Sequence, residues 1–144
     1  RVRPSGLVPS VVAAAGGGGL IAVFGSAGER DRGKRSMMGR IAGDRCRLVV
    51  VTDEDPRGED RLAILEEIAR GAEAAGLRRD RDLLLIGDRR AAIEAALEQA
   101  RPGDVVLFAG KGHERSIIGP SGPQPWHERA AVEAALAALG FSQG

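Results

Sequence analysis

Short apolar runs alternate with amphipathic stretches along most of the chain. The run at residues 48–51 is unbroken, which is typical of a strand buried on both faces of a sheet. The stretches between the runs repeat their apolar residues every three or four positions, as amphipathic helices do. The pattern predicts strands over residues 20–24, 48–51, 83–86 and 105–109, and helices over residues 33–43, 61–75, 89–100 and 128–139.

The order of these elements predicts the fold class. Strands and helices alternate with short links, which indicates an α/β domain with an open, mostly parallel sheet and helices on both faces. Asp88 is placed to cap the third helix. Ile117 and Ile118 predict one further short strand in an antiparallel arrangement, followed by a turn-rich loop over residues 120–125.

The first 19 residues do not follow the alternating pattern. Two prolines mark residues 1–10 as a loop, and residues 16–19 are four glycines that form a flexible joint. We therefore expect a leader or linker over residues 1–19 and one folded domain over residues 20–144. Because the chain begins with Arg1 rather than Met, we expect it to be a piece of a longer protein.

Composition narrows the classes of function. A formal net charge of +1 and an aromatic content of 3% argue against a surface that stacks nucleic-acid bases. No apolar run approaches the length of a bilayer span, and the first residues lack the form of a signal peptide. The single cysteine, Cys46, excludes an internal disulfide and is typical of a reducing compartment. We expect a cytoplasmic domain with no nucleic-acid or membrane partner.

Three polar clusters each follow a predicted strand, at residues 26–35, 53–57 and 110–114. The carboxyl ends of parallel strands lie along one edge of a sheet, where α/β domains bind ligands. We therefore expect the three clusters to converge on one site.

The first cluster approaches the G-x-x-x-x-G-K pattern of a phosphate-binding loop with Gly28, Gly33 and Lys34. Arg35 stands where that loop needs a serine or threonine hydroxyl for magnesium. Three interpretations follow: a P-loop nucleotidase, a charged helix start exposed to water, or a site for an anion or carboxylate that uses Arg30. The absent hydroxyl weighs against the first, and the third is favoured.

The second cluster combines three acids with Arg57. Such a group can hold a zwitterion, because carboxylates accept an ammonium group and a guanidinium binds a carboxylate in a bidentate fork. The alternative is a solvated loop that caps the helix starting near Glu59.

The third cluster places two glycines around Lys111 and continues with His113 and Glu114. Glycines allow a ligand to approach the backbone closely. His113 is either a proton shuttle or a structural histidine. His127 is the only other histidine, so we predict no metal site.

Together and in this order, the three clusters resemble motifs of the C-terminal domain of the Mur ligases. Residues 23–35 match a V-F-G strand followed by G-x-x-G-[DE]-R-D-x-G-K-R, residues 52–57 match T-D-D-N-P-R as TDEDPR, and residues 109–114 match A-G-K-G-H-E without change. The resemblance covers about residues 20–140. It is greatest to the members that add the third residue of the peptidoglycan stem peptide.

The resemblance implies a Rossmann-like domain, the last of three, that holds an incoming amino acid. In this family ATP activates the terminal carboxylate of a UDP-muramoyl peptide as an acyl phosphate, which the amine of the amino acid attacks. The central ATP-binding and N-terminal UDP-binding domains would be the partners of this chain, with ATP and Mg bound mainly by the central domain. The chain alone would then be inactive, with no catalytic residue of its own. The resemblance implies amino-acid-binding residues at Arg30, Glu54, Asp55, Arg57, Gly110 and Glu114, with Lys34, Lys111 and His113 in support.

Two departures from the family pattern leave alternatives open. The D-N of D-N-P-R is Glu54-Asp55 here, which adds a methylene and a negative charge. Arg57 favours a diamino acid with a distal carboxylate, such as meso-diaminopimelate, whereas the added charge favours the bare ammonium of lysine or ornithine. Only Pro4 resembles the D-Y-A-H-T-P segment that precedes the V-F-G strand in the family. A degenerate, non-catalytic binding module is therefore a second hypothesis, and the P-loop nucleotidase is a third.

Overall fold

The computed structural model describes residues 10–13, 19–28, 33–111 and 114–140. Its elements follow the predicted alternation of strands and helices. The strands are β1 (Ser10–Ala13), β2 (Leu20–Phe24), β3 (Leu48–Val51), β4 (Leu83–Leu85), β5 (Val105–Phe108), β6 (Ser116–Gly119) and β7 (Gly122–Pro125). The helices are α1 (Gly33–Arg45), α2 (Arg61–Ala74), α3 (Arg89–Gln99) and α4 (Glu128–Ala138).

The main sheet has five strands in the order β1-β5-β2-β3-β4. The strands β5, β2, β3 and β4 are parallel, and β1 pairs with the free side of β5 in the antiparallel direction. Every residue of β3 is buried, as its unbroken apolar sequence predicts for a central parallel strand. The predicted α/β class with an open, mostly parallel sheet is confirmed.

Helices cover both faces of this sheet. On one face, α1 and α2 pack over the side chains of Ala22, Phe24 and Val51, while α3 and α4 pack on the other face over Val23 and Val50. Successive strand residues point to opposite faces, so each central strand contributes to both cores.

The helices α1 and α2 pack with their backbones in direct contact. A side chain at Gly71 would overlap the carbonyl oxygen of Ser36, and one at Gly39 would overlap that of Ile68. The glycines of both helices therefore allow the two helix axes to approach more closely than alanine would. This contact holds the start of α1 close to the loop that precedes α2.

Side chains cap three of the helices. The carboxylate of Asp88 accepts a hydrogen bond from Ala91 N at 3.2 Å, as predicted, and Asp60 accepts one from Leu62 N. His127 Nδ1 accepts a hydrogen bond from Ala130 N and so caps α4.

The structure differs from the prediction in two places. Residues 10–13, which fell within the predicted leader, form β1, since the side of β5 away from β2 is open to a further strand. The loop predicted at residues 120–125 contains β7, the antiparallel partner of β6. Its two prolines fit there because one side of each hairpin strand needs no backbone donor. Within the described residues, no helix combines the length and apolarity needed to cross a bilayer.

Candidate functional site

The loops after β2, β3 and β5 meet at the carboxyl edge of the sheet. Gly28 N donates a 2.7 Å hydrogen bond to the carbonyl oxygen of Asp55, which joins the first loop to the second. Lys111 Nζ lies 2.6 Å from Asp55 Oδ1, which joins the third loop to the second. The predicted convergence of the three clusters is therefore confirmed for their described residues. Arg30 and His113, both predicted site residues, lie outside the described part of the chain.

Lys111 connects several parts of this edge. Its buried ammonium group also donates to Glu114 Oε1 at 2.9 Å and to the carbonyl oxygen of Ser116 at 2.8 Å. Burial acts to raise the pKa of Asp55, but the hydrogen bonds from Lys111 and from Ile118 N–H outweigh it and hold that pKa below its usual value. Lys111 therefore neutralises Asp55 inside the protein and positions Glu114.

Glu54 lies half-buried against Gly110. Its Oε1 is 2.8 Å from the point that a β-carbon on Gly110 would occupy, and Gly110 has a φ of +107°, so only glycine suits this position. Burial raises the pKa of Glu54 to about 7, although the positive charges of Lys111 and Arg89 act to lower it. Among the described residues, none donates a hydrogen bond to its carboxylate.

Arg57 forms no ion pair with an acid of the described residues, although its positive charge helps to lower the pKa of Asp55. Its Nε is buried and has no hydrogen bond. The residue adopts a left-handed backbone with a φ of +56°, and its N–H donates to the carbonyl oxygen of Ile118 at 2.8 Å. A strained backbone held in place by β6 is typical of functional loops. The guanidinium is thus available for an anionic ligand.

Two cavities adjoin this loop. A cavity of about 580 Å³ lies between residues 53–61 and the β6–β7 hairpin. A second, of about 630 Å³, has mostly apolar walls from β2, β5 and α1, and Glu54 and Gly110 line it. Glu54 therefore places a carboxylate at the margin of a largely apolar space. Glu114, with 55% of its side chain exposed, adds a second accessible acid at the same edge.

Arg35 has a structural position that the sequence did not predict. Its side chain is fully buried and donates to Glu59 at 2.6 Å and to Glu67 at 2.5 Å, and also to the carbonyl oxygen of Ala27. It is therefore neither a water-exposed helix start nor a replacement for a magnesium-binding hydroxyl. The neighbouring Lys34 is exposed on the first turn of α1.

Arg89 is the second buried cation that sequence reasoning missed. It forms a fully buried, two-bond ion pair with Glu128, and it also donates to the carbonyl oxygens of Asp53 and Ala109. One signal was available: an arginine directly after a cap opposes the helix dipole, so it needs another reason to be there. Trp126 packs against the core, and its Nε1 donates to Glu128.

The described residues contain no group of three or more His, Cys, Asp or Glu side chains that could hold a metal ion. Cys46 is buried, and burial raises the pKa of its thiol to about 11, so it stays protonated at neutral pH.

Comparison with known proteins gives a consistent picture. A family model described as "Mur ligase, glutamate ligase domain" matches residues 7–112. Proteins named UDP-N-acetylmuramyl-tripeptide synthetase from Roseiflexus sp. (strain RS-1) and Treponema pallidum (strain Nichols) are 60% and 49% identical, over 86% and 83% of the chain. A UDP-N-acetylmuramoyl-L-alanyl-D-glutamate–2,6-diaminopimelate ligase from Bradyrhizobium diazoefficiens is 47% identical over 82% of the chain.

Solved structures agree with these sequences. The structure of a UDP-N-acetylmuramoyl-L-alanyl-D-glutamate–2,6-diaminopimelate ligase matches with a TM-score of 0.76 and 36% identity over 86% of the chain. The chain spans 24%, 22% and 23% of the three relatives named above, in that order, and 25% of the solved structure. It therefore corresponds to about a quarter of each of these four proteins.

Proposed function

The chain belongs to the Mur ligases, and on this basis we propose that it is the amino-acid-binding domain of a ligase for peptidoglycan precursors. The proposed parent enzyme adds the third residue, a diamino acid, to UDP-N-acetylmuramoyl-L-Ala-D-Glu in the cytoplasm. Residues 20–144 would be its C-terminal domain, joined to an N-terminal UDP-binding domain and a central ATP-binding domain.

The observation that carries the proposal is that the loops after β3 and β5, which contact each other, carry a guanidinium with no ion pair among the described residues, at Arg57, and two acids, at Glu54 and Glu114. A diamino acid has at least two ammonium groups and one carboxylate, so it needs both kinds of partner. Glu54 and Glu114 can accept hydrogen bonds from ammonium groups, and Arg57 can bind a carboxylate. Arg30 would bind a carboxylate as Arg57 does, Lys34 and His113 would support the site, and Lys111 orients Asp55 and Glu114.

The residues that the structure describes do not fit an ATP and magnesium site within this chain. Arg35 replaces the hydroxyl that a phosphate-binding loop would use, and its guanidinium is already occupied by Glu59 and Glu67. We therefore assign ATP and Mg to the central domain of the proposed parent. When bound there, ATP would supply the activated carboxylate, and this chain would bind and orient the amine that attacks it.

Two kinds of diamino acid match the charges of the site. The named 2,6-diaminopimelate ligases among the relatives, together with Arg57, support a substrate with a distal carboxylate. The additional acid at Asp55 supports lysine or ornithine, but Lys111 and Ile118 N–H already engage one of its oxygens. An experiment that offers all three amino acids decides between them.

The test is a hybrid ligase in which this chain replaces the matching segment of the Roseiflexus relative. It is offered UDP-N-acetylmuramoyl-L-Ala-D-Glu and ATP with meso-diaminopimelate, lysine or ornithine in parallel. We expect ligation of one preferred diamino acid by the hybrid and none by the chain alone. The unmodified Roseiflexus protein controls for the activity of the other domains.

Each alternative has its own outcome. Binding of a diamino acid by the chain, without ligation by the hybrid, would favour the degenerate binding module. ATP hydrolysis by the chain alone would favour the P-loop nucleotidase. Ligation of a single diamino acid by the hybrid would contradict both.

A further inference from the structure

We propose that Arg89 is a positioning residue that sets the distance between the second and third loops of the amino-acid site. It lies in none of the three motifs, and its side chain is fully buried. The inference rests on the proposed function, because it concerns how that same site acquires its shape.

The geometry joins both loops to one side chain. Arg89 Nη1 donates to the carbonyl oxygen of Asp53 at 2.7 Å, and Nη2 donates to that of Ala109 at 2.9 Å. These two residues directly precede Glu54 and Gly110. The two proposed binding residues are in contact with each other, so their separation depends on the peptide groups that Arg89 holds.

A second set of contacts holds Arg89 itself in place. Glu128 accepts from Nε at 2.9 Å and from Nη2 at 2.7 Å, and both side chains are fully buried. Trp126 Nε1 donates to the same carboxylate at 2.8 Å. A planar guanidinium with fixed partners has one orientation, so it can act as a rigid spacer between two strand ends. Lysine, with one point charge, cannot reproduce four directed contacts.

The opposite edge of the sheet provides a matched control. Arg47 precedes β3 and forms an ion pair with Asp104, which precedes β5, and it also donates to the carbonyl oxygen of Gln99. Arg47 thus connects the amino ends of β3 and β5, whereas Arg89 connects their carboxyl ends. Arg47→Lys and Arg89→Lys are therefore the same chemical change at the two edges of one sheet.

The first experiment measures steady-state kinetics of the hybrid ligase with its preferred diamino acid. For Arg89→Lys and Glu128→Gln, we expect KM for the amino acid to rise about tenfold or more, and KM for ATP to change less than about twofold, since small displacements of binding groups weaken binding strongly. Arg47→Lys should lower Tm by less, because the Arg47 side chain is 27% exposed, and it should leave both KM values unchanged. Equal amino-acid KM values for Arg89→Lys and Arg47→Lys, or a parallel rise in KM for ATP, would overturn the proposal.

The second experiment needs no catalysis and uses the 144-residue chain. Backbone amide NMR resonances of Glu54 and Gly110 should shift in Arg89→Lys and stay in place in Arg47→Lys. Unchanged resonances in Arg89→Lys would refute positioning even if the hybrid were inactive, whereas an inactive wild-type hybrid counts only against the proposed function. If Arg89→Lys does not fold, Trp126→Phe, which removes one hydrogen bond from Glu128, is compared in the same way and must shift the same two resonances.

Discussion

Glu54 combines features that suit a ligand-binding acid. Its carboxylate receives no hydrogen bond from the described residues, and it lines a mostly apolar cavity. The charged groups that act on it are Lys111, Arg89, Asp55 and Glu114, and burial is the largest influence on its pKa of about 7. A carboxyl group with this pKa is half protonated at neutral pH. Only its ionised form attracts an ammonium group strongly.

We therefore expect binding of the diamino acid to weaken as pH falls from about 8 to about 6, because protonation neutralises Glu54. The measurement is KM for the amino acid in the hybrid ligase across that range. Glu54→Gln should bind weakly at every pH and lose this dependence. A wild-type KM that does not change with pH, or a Glu54→Gln variant that keeps the wild-type profile, would contradict the assignment.

The same pKa makes a prediction for the chain without ligand. A folded-state pKa raised above the ordinary value of 4.5 means that the folded protein binds the proton more tightly than the unfolded protein does. The contribution of Glu54 to folding is thus most favourable below about pH 4.5 and is lost as pH rises to about 7. We therefore expect the Tm of the wild type to fall more steeply than that of Glu54→Gln as pH rises from about 4.5 to about 7, and thermal unfolding at a series of pH values measures this difference.

Arg57 is the counterpart of Glu54 because it offers a cation that forms no ion pair among the described residues. Arg57→Ala should weaken use of the diamino acid by about 1.5–3 kcal/mol, the scale of a hydrogen bond between charged groups. Arg57→Lys should restore part of the loss, since it keeps the charge without the bidentate fork. The ratio kcat/KM for the diamino acid in the hybrid ligase measures the effects of both Arg57 variants. The control is Arg70→Ala, which removes an exposed arginine of α2. An Arg57→Ala hybrid with wild-type amino-acid dependence would refute the carboxylate contact.

At the scale of elements, α1 and α2 form one unit with the loops that carry the site. The helix backbones touch at Gly39 and Gly71, and Arg35 adds a buried ion cluster with Glu59 and Glu67 beside that contact. Arg35 also donates to the carbonyl oxygen of Ala27, in the loop that leads from β2 toward α1. The charged start of α1 therefore contributes to stability as well as to the edge that carries the candidate site.

Arg35→Ser tests this interpretation against the phosphate-binding loop. It should lower the free energy of unfolding by about 3–5 kcal/mol, because it removes a fully buried guanidinium that donates to Glu59, to Glu67 and to the carbonyl oxygen of Ala27. It should also fail to create ATP hydrolysis, although it completes the G-K-S pattern. Urea unfolding and a phosphate-release assay measure the two effects.

Arg79 supplies a control for that variant, since it also pairs with two glutamates of α2, Glu66 and Glu73. Its side chain is 34% exposed, whereas that of Arg35 is fully buried. Arg79→Ser should therefore cost about 1 kcal/mol or less. Equal losses for the two variants would mean that burial of Arg35 adds nothing, and phosphate release by Arg35→Ser would restore the nucleotidase hypothesis.

At the scale of the whole molecule, the sequence predicted the parallel sheet, the four helices and the convergence of the three loops. Those features follow from hydrophobic periodicity, and the edge site follows from the direction of parallel strands. It did not predict β1 or β7. Each is four residues long and ambiguous in composition, so its pairing depends on an open strand edge that only the assembled sheet provides.

The buried ion pairs also could not be predicted from the sequence, for a physical reason. Arg35 and Arg89 resemble any of the other arginines until the fold removes them from water. Their partners Glu59 and Glu128 are 24 and 39 residues away, so no local pattern connects them. The proposed binding residues could be identified from the sequence because three short motifs carry them, whereas the residues proposed to position the motifs are dispersed along the chain.

Asp104 connects the amino ends of three strands of the main sheet, β2, β3 and β5. Its carboxylate accepts hydrogen bonds from Arg47, from Gly19 N before β2 and from Arg101 N after α3. The hydrogen bond from Arg47 contributes most to lowering its pKa to about 2. Because this pKa lies below the ordinary value of 3.8, Asp104 stabilises the fold above about pH 4, and that contribution is lost as pH falls toward about 2.

We therefore expect Asp104→Asn to lower the free energy of unfolding by about 2 kcal/mol at pH 7 and to flatten the acid side of the stability profile between about pH 4 and pH 2. Urea unfolding at a series of pH values measures both effects. Since the site lies at the other edge, the hybrid ligase carrying Asp104→Asn should keep its wild-type KM for the amino acid. A stability loss that persists unchanged at pH 2 would show that packing, not ionisation, is what Asp104 contributes. A raised KM would show that the two edges of the sheet are coupled, because a change at the amino ends of the strands would then have reached the loops at their carboxyl ends.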